Sequence, residues 1–532
     1  MDRTEVLVVG AGPTGLTLAC GLLAQGVSVR VVDKATGPAT TSRANILHAR
    51  GVEVLDRTGV SGEHLPRNVA ATRMSMYAGR RRLATMRFHE VDGARLSALF
   101  VSQADIEGVL RERLTELGGS IAWGTELTGL REDADGVTAE LADGGALRAG
   151  WVAGCDGAHS AVRRLAGIAF PGVPVVERFL LADVHAAWDR DRTGSHAWFH
   201  SDGILLALPM RPRGEGPDDL WRLMADVTVF PENASPENAS PENASPEDAQ
   251  PDEEAILATF RRLLPERAAE HGVRIHGAEW TSVFRIQRRL AADYRHGRIL
   301  LAGDAAHIHS PMGGQGIVTG MGDAENLAWK LALVAQGRAD ATLLDTYAAE
   351  RRPLAAEVLR NITAQTRVLV GGTRTLRLLR DLVFVPITNL APVQRRGTEI
   401  ASQLWVTYRR GPLGDASRFA RFARGVRPGD RMPDRPCTGP GGGRTRLYAV
   451  LREGWALLGP AGATATCAAV VEKCLGVNCP PLTPRTDAAD ATTEPGEVWL
   501  VRPDGHLAWR GAPDRSALER RLEELADGGR NR

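Results

Sequence analysis

Apolar and polar positions alternate along the first part of the chain in a pattern that indicates strands and a helix. Apolar residues over 5–10 predict a strand, 16–23 a helix and 27–32 a second strand. Much later, the apolar run 299–302 predicts another buried strand, which ends at a carboxylate and a glycine-rich turn. Strands that alternate with helices in this way are typical of an α/β fold.

The first strand and helix are joined by a glycine-rich turn, residues 10–15 (GAGPTG). In this setting Gly10 provides the tight turn, Gly12 lets backbone approach a pyrophosphate, and Gly15 allows close packing of helix on strand. The free N–H groups at the helix N-terminus favour an anion. Asp33 ends the second strand about 18 residues after Gly15, where it would accept hydrogen bonds from an adenosine ribose. These features predict a dinucleotide site.

Two further segments carry similar chemistry far along the chain. Asp156 and Gly157, with Arg163 shortly after them, follow a polar, hairpin-like region at 125–150. Gly303 and Asp304 follow the strand at 299–302, and more glycines follow at 313, 314 and 316. Such turns bring backbone close to a polar cofactor. A nicotinamide dehydrogenase usually completes its cofactor site within one contiguous domain, so this separation favours another dinucleotide.

In their order and spacing these three motifs resemble those of the class A flavoprotein monooxygenases, the FAD-dependent aromatic hydroxylases. The resemblance covers roughly residues 1–360 and continues more weakly to the C-terminus. It implies a Rossmann-type FAD-binding domain, a β-sheet substrate domain and a C-terminal thioredoxin-like domain, as in phenol and polyketide hydroxylases. It also implies that NAD(P)H reduces FAD, that O2 then forms a flavin C4a-hydroperoxide, and that this hydroxylates a phenolic or polyketide-like aromatic substrate.

The resemblance also suggests which residues bind FAD. Arg43 would lie beside the phosphates, Gln103 near the flavin, and Leu127 would meet the adenine through its backbone. Asp304 would contact the ribityl or pyrophosphate region, and backbone N–H groups over 313–317 would meet the pyrimidine end of the flavin ring. The expected cofactor residues are Gly10, Gly12, Pro13, Thr14, Gly15, Asp33, Lys34, Ser42, Arg43, Gln103, Leu127, Asp156, Gly303, Asp304, Pro311, Gly314, Gly316 and Ile317.

No catalytic residue is assigned, because the flavin is the reactive group; Pro311 is expected to line the active site. His307 and His309 are interpreted as structural, hydrogen-bonding side chains beside the Asp304 turn. One position departs from the family, which commonly has asparagine two residues after the glycine that matches Gly316, whereas this chain has Val318. Flavin binding at this turn is therefore expected to depend on backbone groups.

The resemblance suggests the domain organisation. It gives an FAD-binding domain (1–70, 100–175 and 280–350), a substrate domain (71–99 and 176–279), a helical connection (351–424) and a thioredoxin-like domain (425–532). The repeat PENAS over 231–245 decays at 246–250, and this acidic, proline-rich composition predicts a disordered loop at 231–250. The last domain lacks Cys-x-x-Cys, so packing or formation of a homodimer is expected of it instead of redox chemistry.

Composition narrows the expected partners. The net charge of +1 gives no reason to expect nucleic acid, and no apolar run reaches the ~20 residues of a membrane span. The chain enters a strand directly, without a basic and apolar leader, so a cytoplasmic location is expected. The six cysteines show no metal-ligand spacing, and no metal is expected. The expected partners are thus FAD, NAD(P)H, O2 and a small aromatic substrate.

Several questions stay open at this level. The expected roof of the substrate cavity is rich in apolar and aromatic residues: Met74, Met76, Tyr77, Phe88, Leu99, Phe100, His196, Trp198, Phe199, His200, Leu205, Leu206, Leu208 and Trp221. They do not identify the substrate, because such residues are more often core. A Baeyer–Villiger or antibiotic-inactivating oxygenase on the same scaffold is an alternative, and so is an oxygen-independent flavin dehydrogenase or reductase. Nothing separates NADH from NADPH.

Overall fold

The computed structural model describes residues 2–40, 46–62, 65–88, 98–212, 216–227, 252–308, 314–370, 374–415, 425–485 and 496–529. Ser42, Arg43, His309, Pro311 and the repeat at 231–250 lie outside these residues. Within the described part of the chain, no helix is both long and apolar enough to cross a membrane.

The N-terminal third contains the predicted strand–helix–strand unit and a hairpin. Its elements are β1 (Asp2–Val9), α1 (Pro13–Ala24), β2 (Val29–Val32), β3 (Ile46–His48), α2 (Ala49–Thr58), β4 (Val69–Ala70), β5 (Arg73–Ala78), β6 (Arg81–Arg87), β7 (Ala98–Phe100), α3 (Gln103–Glu116), β8 (Ile121–Ala122), β9 (Leu127–Asp133), β10 (Gly136–Leu141), β11 (Ala146–Gly154) and α4 (Ala161–Leu165). Helix α1 starts with Pro13, whose fixed φ suits the first helical position.

The middle of the chain is mostly strands, followed by a long helix. Its elements are β12 (Gly172–Ala187), β13 (Gly194–His200), β14 (Gly203–Pro209), β15 (Leu220–Val227), α5 (Glu253–Ala268), β16 (Arg274–Leu290), β17 (Arg295–His296), β18 (Ile299–Leu301), a 3₁₀ turn (Gly303–Ala305), β19 (His307–Ile308) and α6 (Gly316–Ala335). The predicted domain boundaries at 175/176 and 279/280 fall inside the long strands β12 and β16, so each of these strands contains residues of both predicted domains.

The rest of the chain begins with helices and ends in an α/β unit. Its elements are a 3₁₀ turn (Ala341–Leu344), α7 (Asp345–Val370), α8 (Arg374–Leu379), a π turn (Arg380–Phe384), α9 (Val385–Ile387), α10 (Ala391–Ser402), β20 (Pro436–Thr438), β21 (Arg444–Arg446), α11 (Leu447–Leu451), β22 (Ala456–Leu458), α12 (Ala461–Leu475), β23 (Pro481–Pro484), β24 (Val498–Val501), β25 (Leu507–Gly511) and α13 (Arg515–Ala526).

The first sheet has the order β17-β18-β11-β1-β2-β8, with β10 on β11 and β9 on β10. Strands β18, β11, β1, β2 and β8 are parallel neighbours, and their apolar side chains are buried together with those of α1 and α6. In this register Val9 pairs with both Val32 and Gly154, and Gly154 pairs with Leu301. The carboxyl ends of four strands therefore lie at one edge, where doubly wound folds bind ligands.

A second sheet has the order β19-β16-β12-β15-β14-β13-β5-β6, and a small one has the order β3-β7-β4. One face of the second sheet, with Trp198 and Trp221, packs against α5. The opposite face, with Met76 and Phe199, packs against Val385 of α9. The sheet is thus covered on both faces, and adjacent residues of a strand serve different faces.

The C-terminal sheet has the order β21-β20-β23-β22-β24-β25. Its core is continuous with the rest of the protein, because Trp329 and Leu333 of α6 pack with Trp455, Leu457 and residues of α12 and α13. The ring of Trp329 meets that of Trp455 edge-on, with centroids 5.3 Å apart. This unit is therefore built onto helix α6.

Candidate cofactor-binding site

The strand register brings together the three motifs that the sequence separates by almost three hundred residues. Gly10 follows β1, Cys155 and Asp156 follow β11, and Gly303 follows β18. The backbone N–H of Cys155 donates to the Val9 carbonyl, and that of Ala302 donates to the Gly154 carbonyl. The motifs thus form one continuous edge.

The glycines of the first turn occupy positions that a side chain would disturb. Gly10 has φ = 106°, and a Cβ there would lie 2.4 Å from the Cys155 carbonyl oxygen. A Cβ on Gly15 would lie 1.9 Å from the Gly10 carbonyl oxygen. A Cβ on Gly12, in contrast, would meet nothing within 4 Å. The turn is therefore closely packed on its protein side and leaves room in front of Gly12.

Two helices begin at this edge without a side-chain cap. Gly12, the N-cap of α1, has no side chain. The side chain of Gln315, the N-cap of α6, makes no hydrogen bond to the N–H groups of the first turn of that helix. The starts of the two helices are adjacent, because Thr14 of α1 lies against Gly320 of α6: a Cβ added to Gly320 would lie 2.5 Å from Thr14 Oγ1. A Cβ added to Gly303, in the third motif, would lie 2.6 Å from the same oxygen. Uncapped helix N-termini attract anions through their N–H groups and dipole. Together with the space at Gly12, they fit a phosphate-containing cofactor such as FAD.

Asp33 holds the glycine-rich turn through hydrogen bonds to backbone. Its Oδ2 accepts from the Ala11 N–H at 2.7 Å and its Oδ1 from the Ala35 N–H at 2.8 Å. Each carboxylate oxygen keeps a further lone pair, so a ribose hydroxyl can still be bound. Lys34 next to it is exposed. The Thr125 N–H donates to the Asp33 carbonyl at 2.8 Å, which brings the start of β9, at Leu127, to this region.

Gln103 begins helix α3 and bonds the buried Glu107. Its Nε2 donates to Glu107 Oε1 at 2.9 Å. Burial raises the pKa of the Glu107 carboxyl, and the charge of Asp33 raises it further, while Gln103 and Arg111 lower it. Helix α3 packs against α1, which begins at the glycine-rich turn. Glu107 carries no motif, and sequence reasoning missed it.

Asp156 acts on the short helix α4. Its Oδ1 accepts from Ser160 Oγ at 2.5 Å and its Oδ2 from the Val162 N–H at 3.1 Å. Burial raises the pKa of the Asp156 carboxyl. Arg163 of α4 then donates to the Ala305 carbonyl at 2.9 Å, inside the third motif. Desolvation by burial lowers the pKa of Arg163 to about 10. The second motif thus supports the third.

Within the third motif, Asp304 is exposed, whereas Gly303 and Ala305 beside it are buried. The buried His307 places its Nε2 2.7 Å from Asp323 Oδ2, which confirms the structural, hydrogen-bonding role expected of it. Gly316 opens helix α6, and Ile317 follows it in the first turn. Asp304 is thus the acidic side chain that this turn presents outwards.

Asp323 is a site residue that sequence reasoning missed. It is fully buried on α6, accepts from the Gly303 N–H at 3.1 Å, and also accepts from Arg351 Nε at 2.7 Å. Burial by itself would raise the pKa of the Asp323 carboxyl, but Arg351 and His307 outweigh it and lower that pKa. The available signal was a lone charged residue inside the stretch 317–324, whose other residues are apolar or small apart from Thr319. Such a residue is costly unless it is paired.

Val318, where the family resemblance leads us to expect an amide, is buried in the core. It is 1% exposed, and its Cγ2 would lie 3.0 Å from a Cβ on Gly51 of α2. Gly314, just before α6, has φ = 61° and lies against the Ile46 side chain. The side chain at 318 thus packs between α6 and α2.

Comparison with known proteins identifies the family. Residues 3–362 match the family described as FAD binding domain, and residues 426–528 match the aromatic-ring hydroxylase C-terminal family. The chain is 35% identical to the rifampicin monooxygenase of Streptomyces venezuelae, with 97% of each chain covered. It is also similar to the solved structure of the anhydrotetracycline hydroxylase OxyS from Streptomyces rimosus, with 30% identity, a TM-score of 0.76 and 99% of each chain covered.

A second solved structure, a ternary complex of aklavinone-11 hydroxylase with FAD and aklavinone, has 27% identity, a TM-score of 0.75 and 99% coverage of each chain. These findings confirm FAD as the cofactor and the α/β FAD-binding fold with a substrate sheet and a C-terminal domain. The chain therefore belongs to the FAD-dependent aromatic-ring hydroxylases and is an FAD-dependent monooxygenase.

Proposed function

We propose that this monooxygenase hydroxylates a phenolic or polyketide-like aromatic compound, with NAD(P)H and O2 as co-substrates. The observation that carries the proposal is an apolar cluster beside the turn before α6. Ile46, which lies against Gly314, also packs with Phe100 and Leu208. Flat aromatic rings suit a site bordered by such a cluster, because their burial is favourable and they lose little conformational freedom.

The second sheet divides the aromatic residues of the expected roof between its two faces. Tyr77, Trp198 and Trp221 form a ring cluster against α5, where Tyr77 and Trp198 stack with centroids 5.4 Å apart. This face is core. On the other face Met76 and Phe199 are also buried, and Leu206 leads from them towards Phe100. We infer that the Phe100 end of this face, beside the turn before α6, sets substrate specificity.

The protein binds the cofactor and shields the reaction from water, and FAD, when bound, supplies the electrons and activates oxygen. The N-termini of α1 and α6 would hold its anionic parts, and Asp33 and Asp304 would accept hydrogen bonds from its hydroxyl groups. The remaining cofactor assignments, Pro13, Lys34, Ser42, Arg43, Gln103, Leu127, Asp156, Pro311 and Ile317, rest on the family resemblance. The apolar face of the second sheet would exclude water, which limits release of peroxide.

The test is a screen of aromatic compounds for stimulation of NAD(P)H oxidation, followed by mass and NMR analysis of products formed under ¹⁸O2. The proposal expects one labelled hydroxyl on an aromatic ring. A ring-expanded ester would instead support the Baeyer–Villiger alternative, and an oxidised antibiotic without activity against bacteria would support inactivation. Turnover without any label in the product would support an oxygen-independent reductase and overturn the proposal.

The role of Asp304 has its own test. We expect Asp304→Ala to purify largely without FAD, because the exposed carboxylate at the turn would bind the cofactor. Asp293→Ala, which removes another exposed aspartate outside the three motifs, is the matched control and should keep its flavin. The flavin-to-protein absorbance ratio measures both. Near-stoichiometric flavin in Asp304→Ala would contradict the assignment.

Two features of the C-terminal region stay proposals. Its sheet order, with helices α11 to α13, supports a thioredoxin-like domain over 425–532. Burial raises the pKa of the Cys437 thiol to about 11 and also raises the pKa of Cys467, Cys474 and Cys479, which opposes a redox role. We also keep the division into FAD-binding, substrate, helical and C-terminal domains as a proposal.

The homodimer is proposed on an exposed apolar cluster. The cluster consists of Leu378, Leu379, Leu382, Val383, Phe384, Ile387 and Leu390. Neighbouring exposed apolar side chains commonly mark an interface. Leu382→Glu should give a monomer by light scattering, whereas Leu165→Glu, which changes an exposed leucine elsewhere, should leave the mass unchanged. A wild-type monomer would contradict the proposal.

A further inference from the structure

The turn that carries Asp304 is fixed by one buried carboxylate. Asp323 Oδ2 accepts from the Gly303 N–H at 3.1 Å and lies 2.7 Å from His307 Nε2. The same oxygen therefore bonds both ends of the turn that contains Asp304. A change in the position of Asp323 is therefore expected to shift this turn.

Asp323 is in turn positioned by Arg351 of α7. Arg351 Nε donates to Asp323 Oδ1 at 2.7 Å, and its Nη2 donates to the Thr319 carbonyl at 2.8 Å. Thr319 lies in the first turns of α6, whose Gln315 carbonyl also accepts from Gln403 at 3.3 Å. The guanidinium thus joins the Asp304 turn to the N-terminal part of α6, the two sides of the candidate flavin site.

The remaining nitrogen of Arg351 leads to the C-terminal unit. Its Nη1 donates to Tyr408 Oη at 2.9 Å. The Tyr408 backbone N–H donates to the Gly429 carbonyl at 2.7 Å, and its ring lies 4.4 Å, centroid to centroid, from His506. Arg502 lies 5.3 Å from the centroid of the same ring. Tyr408 is therefore held by C-terminal residues.

The loop between β24 and β25, residues 502–506, is fixed by buried charges. Arg502 donates to both oxygens of Glu350 of α7, at 3.0 Å and 3.1 Å. Asp504 Oδ2 accepts from Asn326 and Trp329 of α6, each at 3.2 Å. Since all these side chains are buried, the loop has one defined position against α6 and α7.

We propose that the C-terminal unit tunes the flavin site through Tyr408, Arg351 and Asp323, which act as positioning residues. The proposal rests on the proposed function only in placing FAD at the turn of Asp304. It gives the C-terminal unit a role in cofactor binding, although its own residues lie behind α6 and not at the cofactor edge.

The test is Tyr408→Phe, which removes the hydroxyl that accepts from Arg351 and keeps the ring against His506. We expect the FAD Kd of the apoprotein to rise about threefold to tenfold, and the flavin midpoint potential and visible absorption to change. Tyr448→Phe is the matched control: Tyr448 is equally buried in the C-terminal unit, and its hydroxyl donates to the Met432 carbonyl at 2.7 Å, away from the cofactor edge. It should change stability but leave FAD affinity and the flavin spectrum as in the wild type.

A double-mutant cycle with Asp323→Asn completes the test. If both residues act along one path, the effect of Tyr408→Phe on the FAD Kd becomes much smaller in the Asp323→Asn background. If Asp323→Asn fails to fold, Tyr408→Phe and its control still decide. A Tyr408→Phe variant with wild-type FAD Kd, potential and spectrum would overturn the inference.

The two proposals can fail separately. FAD affinity is measured without any substrate, so an enzyme that hydroxylates an aromatic compound but ignores Tyr408→Phe overturns the inference alone. An enzyme whose flavin responds to Tyr408→Phe but which never incorporates oxygen overturns the proposed function alone.

Discussion

The polar groups at the start of helix α6 differ from those further along it in burial and in hydrogen bonding. At its N-terminus, the N–H groups of the first turn have no side-chain cap, and the nearby Asp304 is exposed. Further along, Asn326 and Lys330 are buried and bonded to Glu350. N–H groups without a bond from the N-cap side chain, and an exposed carboxylate, suit a polar ligand, whereas paired charges further along hold one arrangement of the protein. We therefore call the start of α6, with the nearby Asp304, its binding end, and the later part, with Asn326 and Lys330, its supporting end.

The largest loss of stability is expected from Glu350→Ala, which removes a buried carboxylate at the supporting end. This change leaves Lys330 buried without its carboxylate partner, while Arg502 keeps Asp504, and loss of one partner of a buried pair costs about 3–5 kcal/mol. Urea unfolding measures the loss. The control is Glu399→Ala, which removes an exposed pair with Arg396 and should cost at most about 1 kcal/mol. Equal costs for both variants would show that the buried network contributes little.

Sequence reasoning found the binding end much better than the supporting end. Glycines and a carboxylate after a strand are local signals, so Gly10, Gly303 and their parallel strands could be predicted. Asp323 bonds Gly303 across 20 residues, and Arg50 of α2 bonds the Asp504 carbonyl across 454. Such pairings depend on the packing of distant elements, which no local pattern encodes. For the same reason the sequence could not show on which face of the second sheet residues such as Tyr77 and Phe199 lie.

The second largest effect is expected from acid, which should lower the stability of the protein through His506 at the supporting end. Desolvation by burial lowers the pKa of His506 to about 4, although Asp504 opposes it and Arg50 and Arg502 add to it. The unfolded chain binds this proton near pH 6.5, so stability falls as the pH decreases from 6.5 to 4, by about 3 kcal/mol in all. Glu350, whose pKa is lowered to about 2 by Arg502 and Lys330 against the effect of burial, adds a loss only below about pH 4.5.

Urea unfolding at pH 7.5, 6.0 and 5.0 measures this loss, and His506→Gln is the comparison. Burial also lowers the pKa of His196, so some pH dependence should remain in the variant. The difference between the wild type and His506→Gln isolates the contribution of His506. Parallel pH profiles for the two proteins would contradict its assignment as a buried neutral histidine.

At the binding end, a smaller effect is expected from Val318→Asn, which restores the amide common in the family. Because Val318 is buried against α2, the amide would enter an apolar site and cost about 1–3 kcal/mol. FAD affinity should stay within about twofold of the wild type, since backbone N–H groups are expected to bind the cofactor at this turn. Val318→Ala controls for the loss of packing. Markedly tighter FAD binding in Val318→Asn would show that this side chain reaches the flavin.

The smallest effect is expected from deleting residues 231–250, which carry the PENAS repeat. This acidic, proline-rich segment has no large apolar side chain, so it cannot contribute a packed core to either end of α6. Turnover and the urea midpoint should both stay close to those of the full chain, since a change in loop length alters closure entropy only slightly. A control deletion of the same length within β12 and the loop after it should abolish folding, because β12 pairs with both β15 and β16. A large loss of turnover at unchanged stability would instead place the repeat at the binding end, next to the substrate.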